Sequence, residues 1–150
     1  MPADNSKALQ GTSILINNNS GKSLDVPDGT YKPDTRIIQY TPHLRLNQRW
    51  RFVREGKGYL IQNALTGLYL DIAGEKKKGG SAVIQWNKTG NSNQQWMIEE
   101  AGNRLYKIGS LHAAGMYLTI QHQNCDDFGK LEIWDQENPA WYWRIDGYIP

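Results

Sequence analysis

The stretch Asn47-Gln48-Arg49-Trp50 recurs along the chain, and its recurrence decides the fold. A second copy is Asn93-Gln94-Gln95-Trp96, and a third, altered copy is read at Asn138-Pro139-Ala140-Trp141. The three tryptophans lie 46 and 45 residues apart, a period that indicates three copies of one supersecondary unit. Each tryptophan also begins an alternating apolar segment, which is typical of a strand with one buried face.

Four short segments rich in β-branched and aromatic residues can be matched in each unit, separated by turns rich in glycine, proline and asparagine. No stretch has a convincing helical period. The pattern therefore predicts an all-β protein of twelve strands. One unit alone cannot bury its apolar face, but three around an axis can, so we expect a β-trefoil with three pseudo-threefold repeats.

The expected domain organisation follows the repeats. We expect a flexible N-terminal tail at residues 1–11 and a single trefoil domain at residues 12–150. The repeats are expected at about 12–56, 57–102 and 103–150. In the domain core we place Trp50, Trp96 and Trp141 as one central layer, whose indole N–H groups need partners. Gln48 and Gln94 are interpreted as buried amides that bridge backbone groups within a repeat.

Composition narrows the classes of partner. A net charge of +2 is close to balance, so no nucleic-acid partner is expected, and the one basic run, Lys76-Lys77-Lys78, lies among glycines in a loop. A single cysteine, Cys125, allows no internal disulfide. No apolar segment resembles a signal peptide or reaches membrane-spanning length. We therefore expect no membrane insertion, and a protein that is cytoplasmic or released without a signal peptide.

Three features together resemble the ricin B-chain-like lectin family, particularly its cysteine-poor fungal and bacterial members. The Asn-Gln-x-Trp motif is intact twice. A Gly-x-x-Leu-Asp-(Val/Ile) segment precedes it, as residues 21–26 and 67–72. Between this segment and the Asn-Gln-x-Trp motif lies an Ile-Gln-aromatic segment, as Ile38-Gln39-Tyr40 in the first copy and Ile84-Gln85-Trp86 in the second. The resemblance covers residues 12 to 147, about the whole predicted domain, and it implies a β-trefoil lectin.

The resemblance implies one shallow sugar pocket in each repeat. In the family an aspartate accepts hydrogen bonds from sugar hydroxyls, an aromatic side chain stacks on the ring, and an asparagine closes the site. Carried over by position, the carbohydrate-binding residues of repeat one are Asp25, Tyr40, His43 and Asn47. Those of repeat two are Asp71, Trp86 and Asn93, with Thr89 where the histidine would be.

Repeat three departs from the family pattern. Thr119 replaces the aspartate and Pro139 replaces the glutamine, although Trp134 retains the aromatic residue. The loop from Trp134 to Asn138 is three residues shorter than its counterpart in repeat two. The third pocket is therefore expected to be dead or altered.

The same residues suit sugar recognition on chemical grounds. Sugar binding needs a planar apolar surface for C–H faces and fixed acceptors for hydroxyl groups, among which carboxylates are the stronger. Two other interpretations stay open. Asp25 and Asp71 could be turn residues, and Tyr40 and Trp86 could be aromatic residues that pack on the surface.

The leading hypothesis is a lectin for galactose or N-acetylgalactosamine-type glycans of glycoproteins or glycolipids. The sugar identity comes from the resemblance alone. No catalytic residue, cofactor or metal site is expected, because no zinc-binding, dithiol or phosphate-loop motif occurs. Dimerisation would add valency. The alternatives are a β-trefoil protease inhibitor acting through loop 74–80 or 121–129, and an interaction scaffold that does not bind sugar.

Overall fold

A computed structural model describes residues 11–147 of the chain. Within this range the chain forms thirteen strands and six short 3-10 turns, with no α-helix. The strands are β1 Ser13–Asn17, β2 Ser23–Asp25, β3 Thr35–Arg36, β4 Ile38–Tyr40, β5 Trp50–Glu55, β6 Gly58–Asn63, β7 Tyr69–Ile72, β8 Val83–Trp86, β9 Trp96–Glu100, β10 Tyr106–Ser110, β11 Tyr117–Ile120, β12 Leu131–Trp134 and β13 Trp143–Gly147. The predicted tail lies outside the described residues, apart from Gly11.

Six of the strands close into a barrel. β1 pairs with β5, β5 with β6, β6 with β9, β9 with β10, β10 with β13, and β13 returns to β1, always antiparallel. Closure leaves none of these six strands at an open sheet edge, so their backbone groups pair within the molecule.

The remaining strands form three hairpins, one in each repeat. β2 pairs with β4, β7 with β8, and β11 with β12. Each repeat thus supplies two barrel strands and one hairpin. Two 3-10 turns follow in the same places of every repeat, as Pro27–Gly29, Leu46–Gln48, Ala73–Glu75, Ser92–Gln94, Gln121–Gln123 and Pro139–Trp141. This threefold architecture confirms the predicted β-trefoil.

The thirteenth strand arises because one predicted strand changes partner. The chain from Thr35 to Tyr40 divides into β3, which pairs with β8, and β4, which pairs with β2. At the division, Ile37 N–H donates to Val83 O at 3.1 Å, and Leu131 N–H donates to Ile37 O at 2.9 Å. Ile37 therefore joins the hairpins of the other two repeats.

The central tryptophan layer is threefold, but its third member differs from the prediction. Trp50, Trp96 and Trp143 have no exposed surface. Their indole N–H groups donate to equivalent carbonyl oxygens of the hairpins, Trp50 to Leu24 at 3.1 Å, Trp96 to Leu70 at 3.3 Å and Trp143 to Leu118 at 3.1 Å. The prediction that Trp141 completes this layer is wrong.

Hydrogen bonds from side chains to the backbone confirm that repeat three aligns two residues later than predicted, with Trp143 and not Trp141 as the core tryptophan. Asn63 Nδ2 donates to Asn47 O at 3.0 Å, and its counterpart Asn17 Nδ2 donates to Ala140 O at 2.9 Å. Ala140 thus corresponds to Asn47, and Trp141 corresponds to Gln48. The spacing of the core tryptophans is accordingly 46 and 47 residues.

Trp141 is buried beside the layer instead of within it. Its ring lies 4.7 Å from the ring of Tyr117, between centroids. Trp141, and not Pro139, therefore replaces the motif glutamine. The loop that begins at Trp134 is one residue shorter than its counterpart, not three.

Candidate functional site

The predicted residues of repeat one surround one cavity of about 600 Å³. Asp25 ends β2, Ile38 lies opposite it on β4, and Tyr40 ends β4. Asn47 lies in the 3-10 turn that leads into β5, and His43 in the loop before that turn. The hairpin and the returning loop thus bring all four predicted side chains, Asp25, Tyr40, His43 and Asn47, to one pocket.

The Asp25 carboxylate is buried and held from one side. It is 3% exposed, and Gln48 Nε2 donates to its Oδ2 at 2.9 Å, with Asn47 Nδ2 donating to the same oxygen at 3.4 Å. Within residues 11–147, no hydrogen bond goes to Oδ1. One oxygen is therefore anchored by the protein, and the other can accept from a ligand in the pocket.

Burial also changes the acidity of this group. Burial raises the pKa of Asp25 from 3.8 to about 6, although the Gln48 hydrogen bond opposes the rise and the charges of Asp28 and Asp127 add to it. The carboxylate is nevertheless ionised at pH 7, and an ionised acceptor makes stronger hydrogen bonds than a neutral one.

Gln48 joins the loop to the aspartate. Its Nε2 also donates to Thr41 O at 3.0 Å, and its Oε1 accepts from the backbone N–H of His43 at 2.9 Å. His43 Nε2 lies 3.8 Å from Asp25 Oδ2. Because burial and the charge of Arg45 lower the pKa of His43, the imidazole is neutral at pH 7 and the contact is not an ion pair.

Repeat two has the same arrangement around a smaller cavity of about 300 Å³. Asp71 is 4% exposed, and Gln94 Nε2 donates to its Oδ2 at 2.9 Å. Burial raises the pKa of Asp71, against the Gln94 hydrogen bond. Trp86 ends β8 and is 37% exposed. The predicted residues Asp71, Trp86 and Asn93 therefore line one pocket, together with Thr89.

Asn93 differs from Asn47 in one detail. Its Nδ2 donates to Ile72 O at 3.1 Å, as Asn47 Nδ2 donates to Val26 O at 3.1 Å. The Oδ1 of Asn93, however, is buried and has no hydrogen-bond partner among the described residues. Buried polar atoms are normally paired, so this oxygen is an unsatisfied acceptor beneath the pocket surface, which a ligand reaches only if the side chain turns.

Sequence reasoning missed a second wall of each pocket, which comes from another repeat. Asp34, Gly80 and Phe128 each lie six residues before the aromatic residue that ends their own hairpin. All three have left-handed backbone angles, with φ of 66°, 85° and 70°. Phe128 borders the pocket of repeat one, Asp34 that of repeat two, and Gly80 that of repeat three.

These wall residues give the pockets different chemistry. The Phe128 ring meets the Tyr40 ring edge-on at 5.3 Å between centroids, so pocket one has two aromatic surfaces. Asp34 adds a second carboxylate to pocket two, and Gly80 adds only backbone to pocket three. A left-handed phenylalanine is uncommon and strained, and such residues cluster at binding sites.

Two buried glutamines hold the wall loops in place. Gln39 Nε2 donates to the carbonyl oxygens of Asn124 and Asp126, both at 2.8 Å, in the loop that carries Phe128. Gln85 makes the equivalent bonds to Thr30 and Lys32, at 2.8 and 2.9 Å, in the loop that carries Asp34. The recurring Ile-Gln-aromatic segment was the available sequence signal for this role.

Repeat three also contains a cavity, of about 390 Å³. It is bordered by Thr119 on β11, by Glu132 and Trp134 on β12, and by the 3-10 turn Gln121–Gln123. Within residues 11–147, no group of three or more histidine, cysteine or acidic side chains could hold a metal ion. No helix in the described range is long and apolar enough to cross a membrane.

Several solved structures share this fold. ThreeFoil, a designed threefold symmetric protein, superimposes with a TM-score of 0.89 at 28% identity, over 93% of this chain and all of that one. An exo-β-1,3-galactanase from Clostridium thermocellum gives a TM-score of 0.88 at 31% identity, over 93% of this chain and 30% of the enzyme. The Macrolepiota procera ricin B-like lectin, solved in complex with lactose, gives 0.78 at 24% identity, over 91% and 95%.

At the level of sequence, a 50-residue segment is 40% identical to the clotting factor G alpha subunit of Tachypleus tridentatus. That segment is 33% of this chain and only 7% of the Tachypleus tridentatus protein. Residues 46–147 match the model of the ricin-type β-trefoil lectin domain-like family. Since this match spans more than half of the sequence, the chain belongs to the ricin-type β-trefoil lectin-like family.

Proposed function

We propose that this chain is a non-catalytic lectin whose first two pockets bind galactose or N-acetylgalactosamine-type glycans. The family and fold support a carbohydrate-binding role. The observation that carries the proposal is the pair of matched pockets, in which Asp25 and Asp71 are each anchored through one oxygen by a buried glutamine. Two independent repeats retain this arrangement, so a role as incidental turn residues does not account for it.

The geometry suits a hydroxylated ring. Each aspartate presents an anchored carboxylate, and the aromatic residue on the neighbouring strand offers a partly exposed apolar face. A sugar ring has hydroxyl donors at its edge and C–H groups on its faces, so it can use both surfaces at once. The anchoring glutamine means that the acceptor does not have to be ordered when the sugar binds, which favours affinity.

The sugar identity is supported by likeness alone. The Macrolepiota procera lectin was solved with lactose, a galactoside, but at its level of identity the likeness to this chain extends only to the fold. Pocket volume adds a distinction. Pocket one is about twice the size of pocket two and has a second aromatic wall, so we propose that it binds a disaccharide unit while pocket two binds one ring.

We propose binding without catalysis, although Asp28 lies beside Asp25 in pocket one, and Asp34 and Glu75 border pocket two with Asp71. Hydrolysis needs two carboxyl groups poised on either side of one bond, whereas Asp25 and Asp71 are each anchored through one oxygen by a glutamine, as suits a fixed acceptor. Ser92 Oγ and His112 Nδ1 lie 2.8 Å apart, but the other ring nitrogen of His112 contacts the Glu75 carbonyl oxygen at 2.6 Å instead of a carboxylate. Neither residue is among those that line the three pockets, although Glu75, Asn91 and Asn93 beside them line pocket two.

A glycan array tests the proposal. The purified protein is compared with Asp25→Ala/Asp71→Ala and with a control, Glu100→Ala/Asp146→Ala, which removes two exposed acids outside the pockets. We expect binding to terminal galactose or N-acetylgalactosamine that the control retains and the site variant loses.

Other outcomes correct or refute this function. If the wild-type protein binds some other sugar and the site variant loses that binding, both site assignments stand and the proposed specificity is corrected. Binding that survives in the site variant would refute the site assignment. A blank array with folded protein would refute the lectin function, and a protease panel would then test the inhibitor alternative.

A further inference from the structure

In repeat three the carboxylate lies on the second strand of the hairpin, whereas in repeats one and two it lies on the first. In repeats one and two the aspartate on the first hairpin strand faces an isoleucine on the second, as Asp25 with Ile38 and Asp71 with Ile84. In repeat three the pair is Thr119 and Glu132. The carboxylate has therefore not disappeared from the third pocket. It lies on the opposite strand of the same residue pair.

Glu132 is buried without a bonding partner. It is 7% exposed, yet within residues 11–147 it accepts no hydrogen bond and makes no ion pair within 4.0 Å. It nevertheless borders the cavity. Burial raises its pKa, while the charges of Arg36 and His122 oppose the rise from a longer distance.

A purely structural carboxylate would not be expected in this state. Buried carboxylates in folded proteins are normally paired or hydrogen-bonded, because an unpaired buried charge is costly. Thr119 does not satisfy Glu132, since its hydroxyl donates to Asn138 Oδ1 at 3.2 Å. The unsatisfied acceptor therefore faces a cavity that can admit a donor.

The rest of the pocket resembles that of repeat two. Trp134 occupies the position of Trp86, and both indoles are 37% exposed. Gly79 and Gly80 pack against the six-membered ring of Trp134, where an added Cβ would lie 3.1 and 3.7 Å from ring atoms. Backbone therefore covers this part of the indole, and the exposed remainder, 37% of the residue, is the surface left to a ligand. Trp141, at the position of the anchoring glutamine, has an indole nitrogen without a partner among the described residues. The side-chain amide that anchors Asp25 and Asp71 is therefore missing from repeat three, and a buried indole N–H stands in its place.

We propose that the cavity of repeat three is a third carbohydrate site, in which Glu132 replaces the aspartate as acceptor and Trp134 is the stacking surface. This inference rests on the proposed lectin function. The ligand is a neutral sugar ring and not an amine, because the Arg36 guanidinium already places positive charge near Glu132. Since the acceptor reaches in from the opposite strand, the ring is held in a different orientation, and its sugar preference can differ from that of pockets one and two.

The tryptophan indole N–H signals provide a separate readout of each pocket. The 15N-labelled protein is titrated with methyl glycosides of galactose, N-acetylgalactosamine, glucose and mannose. The signals of Trp86 and Trp134 are assigned with Trp86→Phe and Trp134→Phe. We expect both signals to shift on titration, not necessarily with the same glycoside.

The variant Glu132→Gln removes the charge and retains the shape. We expect it to weaken the titration seen at Trp134 by about tenfold and to leave that at Trp86 unchanged, because charge-assisted hydrogen bonds are about twice as strong as neutral ones. The control Glu100→Gln removes an exposed acid outside the pockets and is expected to change neither titration.

The outcomes separate this inference from the lectin function. A shift at Trp86 without any at Trp134 would overturn the third site and leave the proposed function standing. An unchanged Trp134 titration in Glu132→Gln would overturn the role of Glu132. If neither signal shifts with any of the four glycosides, the third site and the sugar site of repeat two are both overturned, and the lectin function would then rest on pocket one alone. The wild-type titration gives its answer even if a variant fails to fold.

Discussion

Acidification should strengthen the fold and weaken sugar binding through the same residue, Asp25. Burial raises its pKa from 3.8 to about 6, so the folded protein holds this proton more tightly than the unfolded chain. The stabilisation is fully present below pH 3.8 and is lost as the pH rises through about 6. At 1.36 kcal/mol for each pKa unit, the difference amounts to at most about 3 kcal/mol.

Sugar binding at pocket one should depend on pH with the opposite sign. The ionised carboxylate is the stronger acceptor, and with a pKa of about 6 its ionised fraction falls from about 90% at pH 7 to about 10% at pH 5. The affinity of pocket one for a galactoside should therefore fall about tenfold over this interval.

Two measurements between pH 4 and 8 test these opposite pH dependences of stability and of sugar affinity. Urea unfolding gives the free energy of unfolding, and calorimetric titration with lactose gives the affinity, in an Asp71→Ala/Glu132→Gln background that leaves pocket one intact. Asp25→Asn, which retains the shape, should remove most of the pH dependence of stability in this window and should bind weakly at every pH. His43→Gln should retain both trends, although His43 and the charges of Asp28 and Asp127 lie nearby. Equal pH dependence of stability in the parent and in Asp25→Asn would refute the reasoning.

Three further predictions concern the core and the walls. Trp143→Phe should lower the free energy of unfolding, measured in urea, by about 1–2 kcal/mol more than Trp141→Phe, because only Trp143 loses an indole hydrogen bond. Equal losses of stability in the two variants would contradict the corrected register. Phe128→Ala should weaken lactose binding at pocket one about threefold to tenfold and leave the Trp86 indole titration unchanged, since an aromatic contact contributes about 0.5–1.5 kcal/mol; a change at Trp86 would argue against a local wall. Gln94→Leu should destabilise the fold by about 1–3 kcal/mol and raise the pKa of the aspartate it anchors, measured by urea unfolding and by carboxyl NMR titration; an unchanged pKa would exclude that anchoring.

The sequence predicted those features that lie within one repeat. Asp25, Tyr40 and Asn47 follow one another at spacings set by a short hairpin and a returning loop, so matching two copies was enough to group them. The same match grouped Asp71 with Trp86. Strand type, turn positions and the periodic core are local properties as well, which is why the β-trefoil could be predicted without contacts.

The predicted alignment of the third repeat was wrong because the local sequence pattern there is ambiguous. Trp141 and Trp143 both belong to an alternating apolar segment, and each can begin a strand on sequence grounds alone. Only the barrel decides between them, because the indole that reaches the Leu118 carbonyl must come from the first residue of β13. The error also concealed that Trp141 occupies the position of the anchoring glutamine.

By itself, the sequence determined the architecture and the two matched pockets, since both depend on spacings inside a repeat. Only the tertiary structure decided how the repeats complete one another. Phe128 borders the pocket of Tyr40 because barrel closure places the loop of repeat three beside the hairpin of repeat one. Glu132 becomes a candidate acceptor only when cross-strand register sets it opposite Thr119 in a cavity. Both contacts join residues from different strands, and no spacing along the chain encodes which of them meet.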